Sequence, residues 1–216
     1  MVPSRPKVSL DGMRLARRTV LKGGLGLTVA ASALVAAPLA LGDTEVGPIG
    51  DPIGDLLART TATPNSQARR LAFDNLHTGE KLDVAYWENG AYVPDALTAV
   101  NHVLRDHRNN EVHSIDPYLL DLLTALSRRV DAGPRFEVIS GYRSPETNAL
   151  LHAESSEVAK ASLHTQGMAI DIRMTDRSLA YLHTAALSLD LGGVGYYPTS
   201  DFVHVDVGRV RQWSGT

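Results

Sequence analysis

From Leu71 onward the apolar positions switch repeatedly between two periods. Leu71–Leu76 and Leu82–Trp87 are short apolar and aromatic runs flanking His77-Thr78-Gly79-Glu80-Lys81, a pattern that predicts a β-hairpin. Over Asp95–His107, Leu97, Val100 and Leu104 recur at helical spacing. The next helix is announced by Asp116 at its cap, Pro117 in its first turn and a face of Leu119, Leu122, Leu123 and Leu126. Phe136–Ile139 predicts a strand running into Ser140-Gly141-Tyr142-Arg143, and Ser144-Pro145-Glu146 opens another helix that extends to about His152. Ala153–Ser162 is small and polar and predicts a loop. Met168–Met174 alternates as a strand does, Ser178–Leu189 is helical, and Gly193–Tyr197 and Phe202–Val207 predict two further strands. Helices mixed with short strands and hairpins predict an α+β fold, an antiparallel β-sheet with flanking helices in a single domain.

Upstream, the pattern changes character. Arg17-Arg18-Thr19-Val20-Leu21-Lys22 is a twin-arginine pattern, and the run from Gly23 to Gly42 is uncharged and rich in Ala, Leu and Gly. Basic, apolar and small residues in that order predict a signal peptide over residues 1–42, cleaved after Ala40-Leu41-Gly42. A retained membrane anchor is the competing reading, since about twenty apolar residues just span a bilayer. Pro38, Gly23, Gly24 and Gly26 disfavour a stable spanning helix. The expectation is export to the periplasm by the twin-arginine route, with only transient membrane contact. Gly47-Pro48-Ile49-Gly50 and Asp51-Pro52-Ile53-Gly54 predict a flexible linker over residues 43–69. The folded domain is then expected over residues 70–216, as a monomer.

Composition narrows the function. With 44% hydrophobic and 21% charged residues, a packed core is feasible and wholesale disorder is excluded. Residues 1–42 hold six Lys/Arg and one acid, which leaves 15 basic and 23 acidic residues, a net charge of −8, for residues 43–216. An acidic body repels a phosphate backbone, so nucleic acid is not an expected partner. The chain has no cysteine, which excludes disulfides, thiolate ligands and a cysteine nucleophile. A metal would fall to His, Asp and Glu, whose nitrogen and oxygen atoms suit zinc without excluding other divalent ions.

Of the eight histidines, His77, His102, His107, His113, His152 and His183 fall in turns or on helices, where a solvated or hydrogen-bonded imidazole is the simpler reading. His164 and His204 differ in context. His164 is expected to enter a strand that contains Asp171, with Gly167, Ala169 and Asp171 on one face and two small residues leaving room beside the carboxylate. His204 and Asp206 share a face of their strand, and Asp201 lies just ahead of it. A catalytic zinc takes three protein ligands and keeps one position open, and His164, Asp171 and His204 would make such a set. A further carboxylate must then move a proton, for which Asp201 is the candidate. Arg143 would stabilise charge on a carbonyl oxygen or clamp a substrate carboxylate. Spacing alone leaves open that Asp171 and Asp206 cap turns and that both histidines are buried and satisfied.

Three segments taken together carry a resemblance. Ser140-Gly141-Tyr142-Arg143-Ser144, then Ser162-x-His164-x-x-Gly167-x-Ala169-x-Asp171, then Asp201-x-x-His204 resemble the motifs of the zinc D-Ala-D-Ala peptidases. Residues 70–213 are most similar to the YcbK-like branch, periplasmic murein endopeptidases of that superfamily. The resemblance implies one zinc per chain on His164, Asp171 and His204, in a cleft over the sheet. It further implies Asp201 as general base, Arg143 facing the substrate and Ser162 near it; Asp206 would orient a histidine. The implied activity is hydrolysis of a peptide bond in peptidoglycan stem peptides or cross-links. A D,D- or L,D-carboxypeptidase or dipeptidase on the same substrate is the nearest rival. A non-catalytic, zinc-stabilised wall-binding module is the rival outside enzymology. A calcium-binding protein is disfavoured, because two imidazoles are poor calcium ligands.

Overall fold

The structure, a computed structural model, describes Ile53, residues 68–155 and residues 158–216. The expected signal peptide and nearly all of the expected linker lie outside these residues. Among the described residues the chain runs β1 (Arg69–Asn75), β2 (Lys81–Glu88), β3 (Ala91–Tyr92), α1 (Pro94–Val103), α2 (Pro117–Arg129), β4 (Arg135–Ser140) and α3 (Pro145–Glu154). It continues with a 3-10 turn (Leu163–Gln166), β5 (Ala169–Arg173), α4 (Leu179–Leu189), β6 (Gly193–Tyr197), β7 (Phe202–Asp206) and β8 (Arg211–Ser214).

Three of the helices start where the sequence places them. The side chains of Asp116, Ser144 and Ser178 accept from the backbone N–H groups of Tyr118, Thr147 and Tyr181, which satisfies donors that a helix N-terminus leaves unpaired. Helix α1 is shorter than its spacing predicts, ending at Val103 and not at His107. Leu104 keeps its place in the core, but Asp106 then closes a turn: its N–H donates to the Glu111 carbonyl and its carbonyl accepts from Asn110 N–H.

The α+β class holds, but the sheet is mixed. Its order is β3-β2-β1-β4-β5-β7-β6-β8. Among the described strands five neighbour pairs are antiparallel, while β1–β4 and β6–β8 are parallel. The first parallel pair is joined by a crossover through α1 and α2, the connection that parallel neighbours require. The second arises because β7 is already flanked by β5 and β6, so the chain leaving it pairs on the free edge of β6. The short strands β3 and β8 and the 3-10 turn carry too little periodicity to be read from sequence.

One face of the sheet is core. Phe73, Phe136, Val138, Ile170, Ile172, Val203 and Val205 point to it and are almost fully buried, and α1, α2 and α4 cover it. The opposite face carries the polar and small residues. A bulge in β4 decides which residues reach that face. Val138 pairs with Ile172 on the core side, yet Ser140 pairs with Asp171, so one extra residue re-aims the strand end. The register then draws a single row across five strands: Ser140, Asp171, His204, Gly195 and Trp213.

Candidate metal centre

Asp171 and His204 lie directly opposite each other on β5 and β7. His164 reaches the same point from a different kind of element. It sits in the 3-10 turn, not in a strand, where Ser162 Oγ accepts from its N–H at 3.4 Å. The turn closes at Gly167 in the left-handed region, φ +67°, where a Cβ would meet the Ser114 carbonyl oxygen at 2.2 Å. Gly167 is thus a requirement of the turn and its packing, and not space beside Asp171.

The three side chains converge on one point. His164 Nε2 and His204 Nδ1 are 3.2 Å apart, and Asp171 Oδ1 lies 2.8 Å from His204 Nδ1 and 3.3 Å from His164 Nε2. Ligands bound to zinc at about 2.0–2.1 Å in a tetrahedron stand about 3.3 Å from one another. The donor set therefore fits the ion in kind, number and spacing. All three residues are buried, and they are the one such group among the described residues.

The outer nitrogens are held so that the inner ones face the centre. His164 Nδ1 donates to the Gly141 carbonyl at 2.7 Å, leaving the Nε2 lone pair pointing inward. His204 Nε2 donates to Asp206 Oδ2 at 3.0 Å, leaving Nδ1 inward. Asp206 is itself clamped by Arg211, whose Nη1 and Nη2 donate at 3.0 and 2.7 Å, and by the N–H groups of Gly193 and Gly208. Gly193 permits this, since a Cβ there would lie 2.3 Å from Arg211 Nη1.

The electrostatics favour a cation. Burial opposes charge on Asp171, but His164 and His204 beside it hold its carboxyl far below the usual range. Burial also opposes charge on His204, yet hydrogen bonds to Asp171 and Asp206 push its pKa up to about 9. Asp206 is likewise opposed by burial and held low by His204 and Arg211. Asp206→Asn keeps the shape and removes the charge behind His204. Zinc affinity should then fall about 10- to 100-fold in a chelator-competition titration; an unchanged affinity would leave Asp206 with a packing role alone.

A cleft of about 380 Å³ opens over this floor, with Arg143, Ser162, Trp213 and Tyr197 among its walls. The Arg143 guanidinium is buried, which lowers its pKa, and is weakly tied. Nη1 and Nη2 reach Asn148 Oδ1 and Ser140 Oγ only at 3.4 Å, Asp171 Oδ2 is 3.8 Å away, and Nε has no partner among the described residues. Asn148, which the sequence reading passed over, joins Arg143 to the cleft wall by donating to the carbonyls of Ala159 and Lys160 at 3.2 and 3.3 Å.

Asp201 stands apart from the cluster. It is exposed at the β6–β7 turn with φ +55°, and its Oδ2 accepts from Arg173 Nη1 at 2.7 Å. It is not part of the cleft wall, although its neighbours Ser200 and Phe202 are. The remaining six histidines have structural partners. His77 stacks on His107, His113 on Tyr142 and His183 on Tyr196; His102 lies 3.6 Å from Glu80 and His152 Nδ1 lies 2.6 Å from the Val158 carbonyl.

With this geometry in view, comparison with known proteins is decisive. The profile of a family described as peptidoglycan L,D-endopeptidase MepK matches residues 63–213. The chain belongs to that family. It is 41% identical over 175 residues to the peptidoglycan L,D-endopeptidase MepK of Escherichia coli K12, covering 81% of this chain and 94% of that protein. It is 40% identical to the probable peptidoglycan L,D-endopeptidase MepK of Haemophilus influenzae, covering 76% of this chain and 92% of that one. Within the family match lie all the residues that build the floor and walls of the cleft.

Proposed function

We propose that this chain is a zinc-dependent peptidoglycan endopeptidase that hydrolyses an L,D amide in the cross-linked stem peptides of the cell wall. The observation that carries the reading is the convergence of His164 Nε2, His204 Nδ1 and Asp171 Oδ1 on a cleft floor, within a chain of this family. When bound by those three atoms, zinc would polarise the scissile carbonyl and acidify the attacking water.

The protein's own groups supply the rest. Arg143, buried and with a donor to spare, receives a substrate carboxylate or shares the charge that gathers on the carbonyl oxygen. Ser162 offers a hydroxyl to the peptide from the cleft wall. Asp201 takes the proton of the attacking water and passes it to the departing amine, so that C–O forms, C–N breaks and an acid and an amine leave. For this it must release Arg173 and turn into the cleft. The protein acts as a monomer in the periplasm, delivered through its twin-arginine segment.

Digestion of purified peptidoglycan, with the fragments identified by mass spectrometry, tests the activity. Cross-linked dimers should fall and uncross-linked stems should rise. Persistence of the dimers with loss of terminal residues alone would assign a carboxypeptidase, and binding without cleavage would assign a wall-binding module. Arg143→Lys should lower kcat/KM by at least about tenfold, because a point charge does not replace a planar fork. Kinetics matching the parent would dismiss the clamp.

A further inference from the structure

The two sides of the cleft differ in chemistry. On the β4 side stands the Arg143 cation. On the β8 side stands a shelf of aromatic rings, made by Trp213, Tyr197 and Phe202, all of which line the cleft. The register builds this shelf. Trp213 continues the row of Asp171 and His204, but the residue between His204 and Trp213 is Gly195. A Cβ there would lie 2.7 Å from Trp213 Cε2, so the indole folds down over β6 backbone until its centroid is 5.1 Å from the His204 ring. Tyr197 and Phe202 form the next pair along the same face and stack at 4.4 Å. Tyr197 rests on Gly215, where a Cβ would be 2.3 Å from its ring.

The one polar atom of the indole is already committed. Trp213 Nε1, the only donor of the indole, donates to the Tyr197 hydroxyl at 2.8 Å. Arg211 flanks the indole at 4.9 Å, with its nitrogens turned to Asp206. What Trp213 and Phe202 present to the cleft is therefore carbon. Strands lie about 4.8 Å apart, so the floor from β4 to β8 spans about 19 Å, room for an extended peptide to cross from cation to shelf.

We propose that the Trp213–Tyr197–Phe202 shelf is a subsite for the alkyl side chain of the substrate residue on the acyl side of the scissile amide. The carboxylate on the amine side goes to Arg143. This rests on the endopeptidase reading and adds to it a polarity of binding. One end of the cleft reads charge and the other reads methylenes, and the metal-ligand cluster lies between them.

The chain has two tryptophans, Trp87 and Trp213. Trp87→Phe, on β2 outside the cleft, leaves Trp213 as the sole indole. Two synthetic peptides serve as probes, alike except that the acyl-side residue carries a linear alkyl side chain in one and is glycine in the other. Both keep a free carboxylate on the amine side. Trp213 emission should shift and saturate with each, and the alkyl peptide should bind at least about tenfold more tightly, the scale of a few methylenes in an apolar site. Gly195→Ala, whose methyl forces the indole off its seat, should cut that preference below about threefold while one zinc per chain remains. Trp213→Leu should do the same to the ratio of kcat/KM values. Equal affinities for the two peptides, or a preference that survives Gly195→Ala, would overturn the subsite. If the preference is present but the zinc-loaded protein cleaves neither peptide nor peptidoglycan, the endopeptidase reading fails and the subsite stands.

Discussion

Asp171→Ala protein will bind zinc more than about 100-fold more weakly than the parent, a larger loss than removing an outer partner produces. Wall digestion will fall with it, by about 1,000-fold or more at equal total zinc. Asp171 Oδ1 is the atom that both imidazoles meet, at 2.8 and 3.3 Å. Without it, two imidazoles remain, and the nearest anion to a divalent ion would be Asp206, behind His204. The loss also leaves Arg143 Nη2 without the carboxylate 3.8 Å away, so the Arg143 guanidinium should change its posture. Metal content and a chelator titration separate the two effects. Circular dichroism checks that the domain has folded, since Asp171 is buried among charged partners. A variant that folds, holds zinc as tightly as the parent and still digests the wall would sink the assignment of the metal centre. Removal of zinc from the parent by a chelator should reproduce the defect, and added zinc should reverse it.

Asp201→Ala should retain its zinc and lose about 10²- to 10⁴-fold in kcat, the range a positioned acid–base group supplies. Its stability should fall by no more than about 1–2 kcal/mol, chiefly because alanine tolerates the left-handed φ of +55° less well than aspartate. The Asp201 side chain is 59% exposed, and its pair with Arg173 is a surface ion pair worth at most about 1 kcal/mol. The experiment is the sharpest on Asp201, because the resting side chain is turned to Arg173 and lies outside the cleft wall. Unaltered turnover in the variant would move the proton-transfer role to another group.

Much of the fold was legible because its signals are local. The hairpin of β1 and β2, the three side-chain caps and the strands Gly193–Tyr197 and Phe202–Asp206 rest on turn chemistry, capping and alternation within a few residues. The end of α1 departs from the spacing for a physical reason. Leu104 is buried as the helical spacing requires, although the helix has already stopped, so periodicity outlived the element that produced it. His164 departs from its expected strand in a similar way: a 3-10 turn of four residues has no period of its own.

What the sequence determined by itself was the set of candidate ligand types and their order. Without cysteine, and with two histidines set in apolar context, the donors had few other identities available. What only the tertiary structure decided was how those donors meet. The β4 bulge sets Ser140 against Asp171, the Gly141 carbonyl that follows meets His164, and strand register sets Asp171 against His204. Glycines on β6 let Arg211 and Trp213 lean across from the edge strand. None of these has a local signature, because register and bulges are set by which strands pair and which face is buried, and pairing partners here stand tens of residues apart.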